Sequence, residues 1–303
     1  MLFIRSIVLF TLLCPLGSIN AEPPADQSTE NETKYQLQYK FVAGESRHYR
    51  LSEQSEFHSI SPRENSRATN DSFIEKHYKV KDVRDDGSAV IELVFDRIKI
   101  KYDLPQIGKV EYDSAKDAVP PEQFASLKRK VGKPIAEAVV KPTGEIQSLV
   151  KQGARNPRAN PLEESKEKQN FLVILPSDPI AVGESWNFRY KVNMPLTARV
   201  TKEFEIRYVY TLEEIEDDLA EISFTTFVSP RLVDPLLRGK FMQYLPSGTV
   251  KFDLAKGQLL SQEQHVQKTE VNVGGQRTAL TIDLKRQEKL VEPNQREVSQ
   301  AKP

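Results

Sequence analysis

The sequence predicts a mostly β protein made of two related, curved antiparallel sheets, half-barrel-like in form, each with a short helix. The first observation behind this fold class is strict apolar–polar alternation over long stretches, since successive side chains of a strand point to opposite faces. The second is that helical periodicity is confined to two short segments. The third is a similar order of motifs in the two halves of the chain.

The amino terminus has the layout of a cleaved secretory signal peptide, residues 1–21, rather than of a membrane anchor. Arg5 precedes an apolar run of about ten residues, whereas a membrane-spanning helix needs roughly twenty. Removing this segment also removes Cys14, the only cysteine, so the mature chain would have no disulfide and no thiol. An exported chain without cysteine is typical of a bacterial envelope protein. We therefore expect a periplasmic or secreted location and no transmembrane segment in the mature chain.

Charge is balanced over the chain, with 43 basic and 43 acidic residues. Such a chain has no overall field to attract nucleic acid or an anionic membrane surface. Nucleic acid is therefore not an expected partner.

Composition divides the mature chain into five parts. Residues 22–34 are polar and proline-containing and predict a disordered leader. Residues 153–170 have the composition of a linker, and residues 292–303 have little to bury and predict a disordered tail. Between these lie two β-rich halves, residues 35–152 and 171–291.

Three segments alternate cleanly enough to predict half-buried strands. They are YQLQYKF at 35–41, KEFEIRYVYTL at 202–212 and ALTIDL at 279–284. The last is preceded by Gly274-Gly275, which predicts a hairpin.

A fourth segment, VIELVFDRIKIKY at 90–102, alternates with one slip at Asp96-Arg97. A slip of one residue moves the following side chains to the other face unless the strand bulges. The sequence therefore predicts a β-bulge or bend at this point.

Helical signals occur once in each half. PPEQFASLKRKVG, residues 120–132, begins with prolines, has apolar residues at helical spacing and ends on a glycine. DPLLRGKFMQYLP, residues 234–246, has a similar start and stop. Each predicts a short helix.

The motif order suggests an internal repeat. VAGESRHYRL at 42–51 is similar to VGESWNFRY at 182–190, and residues 76–93 are similar to residues 207–224. In each half the predicted helix and then a strand–glycine–strand unit follow. The repeat predicts that the two halves are built alike, and it leaves open whether they share one sheet.

Several of these motifs together resemble a known family. EYDS at 111–114, PTGEI at 142–146 and LPSDPIAVGESW at 175–186 occur in the order seen in a family of exported bacterial proteins of unknown function. The family is frequent in planctomycete-like and bacteroidete-like genomes, and the resemblance covers nearly the whole mature chain. It implies a fold and an exported location, and it brings no catalytic residues.

No metal site is predicted from the histidines. His48, His58, His77 and His265 fall in no paired metal-ligand spacing, and no cysteine remains to join them. His48 and His77 are expected on the solvent face of their strands.

Other candidate motifs have simpler structural interpretations. Ser185 follows a tight turn but lacks the second glycine of a nucleophile elbow, so we expect a turn into a strand with Trp186 packed nearby. The acidic stretches at 82–87 and 213–218 lack EF-hand spacing and predict acidic turns. The basic stretch at 127–133 predicts a solvated helix face.

The sequence therefore predicts no catalytic, cofactor-binding or metal-binding residue, and it leaves the ligand-binding residues unassigned. The aromatic stripe of Phe204, Tyr208 and Tyr210 is expected to pack in a core, with the lining of a ligand cavity as the alternative. The expected function is that of an exported, non-catalytic envelope protein that binds a hydrophobic ligand, such as a lipid, or an envelope protein in a sheet concavity. One alternative is a structural or protein-interaction module without a cavity, and another is a hydrolase that uses dispersed carboxylates.

Overall fold

The computed structural model describes residues 33–151, 172–196 and 200–292. Most of these residues lie in one twelve-stranded antiparallel sheet. A second, two-stranded sheet pairs β1 (Lys34–Tyr35) with β8 (Ile180–Ala181). The prediction of a mostly β, antiparallel protein is confirmed.

Some of the predicted segments are not covered by this description. The predicted signal peptide (1–21), the linker (153–170) and nearly all of the leader and tail lie outside the described residues. Among the described residues, no helix is both long enough and apolar enough to cross a membrane.

Eleven strands of the large sheet lie side by side. Their spatial order is β7 (Ile146–Lys151), β6 (Pro134–Val140), β4 (Ala89–Leu104), β3 (Asn65–Val83), β2 (Ser46–Ile60), β14 (Ala279–Leu290), β13 (Gln258–Val271), β12 (Ser247–Asp253), β11 (Leu219–Ser229), β10 (Thr201–Glu216) and β9 (Ser185–Pro195). The twelfth strand, β5 (Gly108–Asp113), pairs with β4 beside this series. Because β14 pairs with both β2 and β13, strands of the two halves belong to one sheet.

The large sheet is strongly curved. In a flat sheet β6 and β9 would lie roughly 43 Å apart, nine strand spacings of about 4.8 Å. Val140 of β6 and Trp186 of β9 nevertheless belong to the same buried apolar cluster. The face that carries this cluster, with Tyr49, Tyr78 and Tyr210, is therefore concave, and we call it the inner face.

Residues 35–41 differ from their prediction. The alternation is present in the burial of Leu37 and Tyr39, but only Lys34–Tyr35 forms a strand. The N–H of Tyr39 donates to the carbonyl of Pro142 (2.7 Å), and that of Lys40 donates to the carbonyl of Gly257 (3.0 Å). The segment is thus held by turns of both halves rather than by a strand ladder.

The first helical segment is short. A 3₁₀ turn (Glu122–Phe124) leads into α1 (Ala125–Lys128). Phe124 packs with Ile98, Ile100 and Tyr112 in a small cluster on β4 and β5.

The second helical segment is better defined. Asp234 accepts the N–H of Leu236 (2.8 Å) at the start of α2 (Pro235–Phe241), where a proline is compatible with the first turn. A 3₁₀ turn (Met242–Tyr244) follows. Phe241 packs on Phe204 of β10, so α2 covers the inner face of the second half.

Two local predictions are confirmed. The hairpin at Gly274-Gly275 joins β13 to β14. On β4 the pairing with β3 shifts between Glu75, opposite Arg97, and Lys76, opposite Phe95. Asp96 is therefore the extra residue of a β-bulge.

The two halves contribute strands in the same spatial order, β7-β6-β4-β3-β2 and then β13-β12-β11-β10-β9. In each half a helical segment precedes the fourth of these strands in chain order. The internal repeat itself stays a prediction.

Candidate functional site

A groove runs along the end strand β9, and its volume is about 580 Å³. We call it the edge groove. Its lining consists of Thr143, Glu145 and residues 174–180 and 184–188. Pockets for small ligands commonly measure about 300–1,000 Å³, so the edge groove has the volume of such a site.

The floor of the edge groove is aromatic because β9 alternates. Trp186 and Phe188 point towards the inner face, and the Trp186 ring stacks on Tyr210 with centroids 5.3 Å apart. The indole Nε1–H of Trp186 donates to the carbonyl of Ile174 (2.9 Å). The apolar floor is therefore fixed in one orientation.

One wall is a strap formed by residues 172–180. The N–H of Leu175 donates to the carbonyl of Thr143 (2.8 Å), and the Tyr39 hydroxyl donates to the carbonyl of Val173 (3.1 Å). The strap thus joins β9 at one end of the sheet to the turn between β6 and β7 at the other.

Gly144 sits where the strap meets this turn. Its φ of +84° is in the left-handed region, and a Cβ atom there would lie 2.3 Å from the carbonyl oxygen of Val173. Only glycine satisfies both the backbone angle and this close approach.

The rim of the edge groove is polar. The carboxylate of Glu184 accepts the N–H of Ala181 (2.9 Å), and that of Glu145 accepts from the Lys141 ammonium (2.7 Å). Gly183, with a φ of +87°, turns the chain into β9, which begins at Ser185. The rim carboxylates are held in local contacts, and of the two floor rings Phe188 is half-buried whereas Trp186 is only 9% exposed.

The middle of the inner face holds a much smaller cavity of about 10 Å³. It is lined in part by Tyr190, Tyr208, Tyr244 and Arg286. This volume is about that of one water molecule. Burial raises the pKa of Tyr208 to about 12, so its hydroxyl is neutral at physiological pH.

The predicted aromatic stripe therefore divides between two environments. Phe204 and Tyr210 are buried in the core, whereas Tyr208 lines the small cavity.

Beside this cavity the inner face carries buried charge. The Lys76 ammonium lies 2.8 Å from the Glu288 carboxylate and donates to the Tyr78 hydroxyl (2.8 Å). Burial lowers the pKa of Lys76, and Glu288 opposes that shift. Two residues before Glu288 on β14, the Arg286 guanidinium lies 3.8 Å from the Glu53 carboxylate of β2. The central inner face is thus polar, and the larger, apolar-floored space lies at its margin.

The outer face brings together three side chains that are far apart in the sequence. His48 on β2 stands directly opposite His77 on β3, with ring centroids 5.0 Å apart. His77 Nδ1 lies 2.9 Å from both carboxylate oxygens of Asp96, and His48 Nδ1 lies 3.7 Å from one of them. We call these residues the His–Asp cluster. No sequence motif marks it, since it depends on the register of β2, β3 and β4.

The predicted acidic turns are only partly turns, because residues 82–83 end β3 and residues 213–216 end β10. Asp86 Oδ1 accepts from both the N–H (2.9 Å) and the hydroxyl (2.6 Å) of Ser88 in the β3–β4 turn. Asp217 and Asp218 have positive φ values in the β10–β11 turn.

No curated protein matches the chain. Among solved structures, the chain is similar to lipovitellin, in a structure of lipid–protein interactions, with 11% identity and a TM-score of 0.46. That match covers 83% of this chain and 25% of the lipovitellin chain. DynF from the dynemicin biosynthesis pathway of Micromonospora chersina matches with 6% identity and a TM-score of 0.21, over 91% of this chain and 96% of DynF.

The family comparison concerns the second half of the chain. The matched segment, residues 163–254, contains the strap, the aromatic floor of the edge groove, β9–β12 and α2. Residues 163–254 match the model of a family of unknown function (DUF6263), which confirms over this segment the resemblance to a family of unknown function.

Proposed function

We propose that the protein is a non-catalytic binding protein of the cell envelope, which holds an apolar ligand or an apolar part of an envelope component in the edge groove. The observation that carries this proposal is the groove of about 580 Å³ with Trp186 and Phe188 in its lining. Its lining also includes Pro176 and Pro179 of the strap. Ligand sites are typically concave and combine apolar side chains with placed polar groups, which here include Asp178, Glu184 and Asn187.

The preorganisation of the edge groove supports the same proposal. The strap is hydrogen-bonded to Trp186 on one side and to Thr143 on the other. A site that is already ordered loses little conformational entropy when a ligand binds. An apolar ligand would therefore bind to an ordered groove, in contact with the half-buried Phe188 and the exposed edge of Trp186.

The small size of the inner-face cavity favours a second candidate, a protein-interaction module. A space of about 10 Å³ beneath Tyr244 admits no ligand larger than water without movement of α2 and the turn after it. In this alternative the inner face serves only as a core, and partners bind outside it.

Trp186 allows a direct test because it is the only tryptophan in the chain. We expect its fluorescence to change saturably when the protein is titrated with anilinonaphthalene sulfonate or with oleic acid. Ser177→Phe, at an exposed position in the groove lining, should weaken this response at least tenfold. Ser59→Phe, at an exposed position on β2, is the matched control and should leave the response unchanged.

A second measurement separates the two candidates. Native mass spectrometry of the protein purified from its own envelope without detergent should show an adduct that organic extraction removes. A clean apoprotein mass, together with no Trp186 response to either probe, would overturn the ligand-binding proposal and favour the interaction module.

A further inference from the structure

We infer that the His–Asp cluster is a binding site for a divalent transition metal ion, with Zn²⁺ as the best fit. His48, His77 and Asp96 each offer one ligand atom, and these atoms all lie within 4.8 Å of one another. Two imidazoles and one carboxylate form a donor set that suits Zn²⁺ and its neighbours in the first transition row.

The distances within the cluster fit a metal ion of this size. Ligand atoms of a tetrahedral Zn²⁺ site, with bonds of about 2.1 Å, lie about 3.4 Å apart. The Nδ1–carboxylate distances are 2.9 Å for His77 and 3.7 Å for His48, on either side of that value. The ligands are thus placed so that small side-chain rotations would admit the ion. When His77 binds through Nδ1, its ring proton moves to Nε2 and the imidazole stays neutral.

The backbone holds the three ligands on a rigid support. They lie on three adjacent strands, β2, β3 and β4, near the middle of the sheet. Asp96 is the extra residue of the β-bulge on β4, a feature often found near functional sites, and its carboxylate lies 2.9 Å from His77 Nδ1.

The charge around the cluster also favours a cation. Arg50, two residues along β2, is paired with Glu75 (3.2 Å), and Arg97, next to Asp96, is paired with Asp113 (2.6 Å). These arginines are therefore paired with other carboxylates, and Asp96 supplies a carboxylate to the cluster itself. The ligand side chains are 16%, 18% and 25% exposed, so an ion has access from solvent. Three protein ligands leave a fourth position for water or an exogenous group.

Equilibrium dialysis of the chelator-stripped full chain against Zn²⁺, followed by metal analysis, tests the site. We expect one Zn²⁺ per chain, and an affinity at least tenfold weaker in His48→Gln, His77→Gln and Asp96→Asn. His58→Gln and His265→Gln, at two histidines outside the cluster, are the matched controls and should bind as the unaltered chain does. Circular dichroism checks that each variant is folded.

Co²⁺ provides a second readout that does not depend on affinity. A tetrahedral site should give the intense visible absorption of tetrahedral Co²⁺, and Asp96→Asn should weaken or shift it. The inference is overturned if the unaltered chain binds no Zn²⁺, or if the cluster variants bind as tightly as the controls. It is also overturned if the stoichiometry is one ion per two chains with dimerisation on size exclusion.

Discussion

Lys76 Nζ and Glu288 Oε1 lie 2.8 Å apart on the inner face, and both side chains are less than a tenth exposed. The pair joins β3 to β14 across β2, so it links the first half of the chain to its last strand. Two charges in such a place depend on each other, since either one alone would be buried without compensation.

Glu288→Gln should therefore lower the free energy of unfolding by about 3–5 kcal/mol, because it leaves the Lys76 ammonium buried without its counter-charge. Denaturation in urea measures this change. The matched control is Glu221→Gln, which breaks the exposed pair with Lys251 and should have little effect. The double variant Lys76→Met/Glu288→Leu should recover most of the stability, and equal losses in Glu288→Gln and Glu221→Gln would contradict the explanation.

Asp113 should make the free energy of unfolding depend on pH in the acidic range. Hydrogen bonds from Arg97 lower the pKa of Asp113 below its ordinary value of 3.8. A carboxyl whose folded pKa is depressed stabilises the fold above its unfolded pKa, and this contribution is lost as pH falls through the folded value. Asp113→Asn should thus be roughly 1.5–3 kcal/mol less stable at pH 7, and the difference should shrink below pH 3.8.

Urea denaturation at neutral and acidic pH checks this prediction. Glu111→Gln, on the same strand, breaks an exposed pair with Lys101 and should change stability much less at either pH. A gap between Asp113→Asn and the unaltered protein that stays constant down to the lowest pH would show that the Arg97 pairing is not its source.

Gly144→Ala should lower the free energy of unfolding by more than an alanine substitution at another glycine with a left-handed backbone conformation. Gly108 has a similar φ of +78°, but a Cβ atom added there would meet no atom within 4 Å, so Gly108→Ala reports the backbone strain alone, about 1–2 kcal/mol. Gly144→Ala adds a clash with Val173, for roughly a further 1–3 kcal/mol. Thermal unfolding compares the two variants. The Gly144 variant should also weaken the Trp186 fluorescence response, because the strap has to move.

The cap of α2 should contribute measurably to stability. Asp234→Ala removes the acceptor for the N–H of Leu236 and should cost about 1 kcal/mol, within a range of roughly 0.5–2. Asp234→Asn keeps a capping oxygen and should lose much less. If both variants lose the same amount in chemical denaturation, the loss comes from the charge of Asp234 and not from its cap.

Local sequence patterns correctly predicted the features that depend only on residues close together in the chain. Alternation predicted β10 and β14, two glycines predicted the hairpin before β14, and one slip predicted the bulge at Asp96. In each case the decisive residues lie within a few positions of one another.

Features that depend on which distant segments of the chain contact each other could not be predicted from local sequence patterns. Residues 35–41 alternate like a strand, but their backbone groups bond to Pro142 and Gly257, which only the tertiary fold brings near. The edge groove joins residues of the β6–β7 turn to the strap and β9, so it appears only when the sheet curves.

The His–Asp cluster shows the same limit. His48 and His77 were placed correctly on strands, yet their pairing requires the register of β2 against β3. The available signal was a histidine on each of two neighbouring strands followed by an aspartate at a slip in the alternation. Such a pattern indicates a shared site only when the register is known.

The position of β14 has a consequence for the order in which parts of the chain fold. The last strand of the sheet lies between the first half and the second, and it pairs Tyr49 with Leu290. Ribosomal synthesis delivers this strand after the other described strands, so β2 and β13 each keep an unsatisfied hydrogen-bonding edge until then. Contacts between such distant parts of a chain form slowly because a large loop has to close. The union of the two halves is therefore an event at the end of folding, and the carboxyl-terminal strand is the part of the chain that completes it.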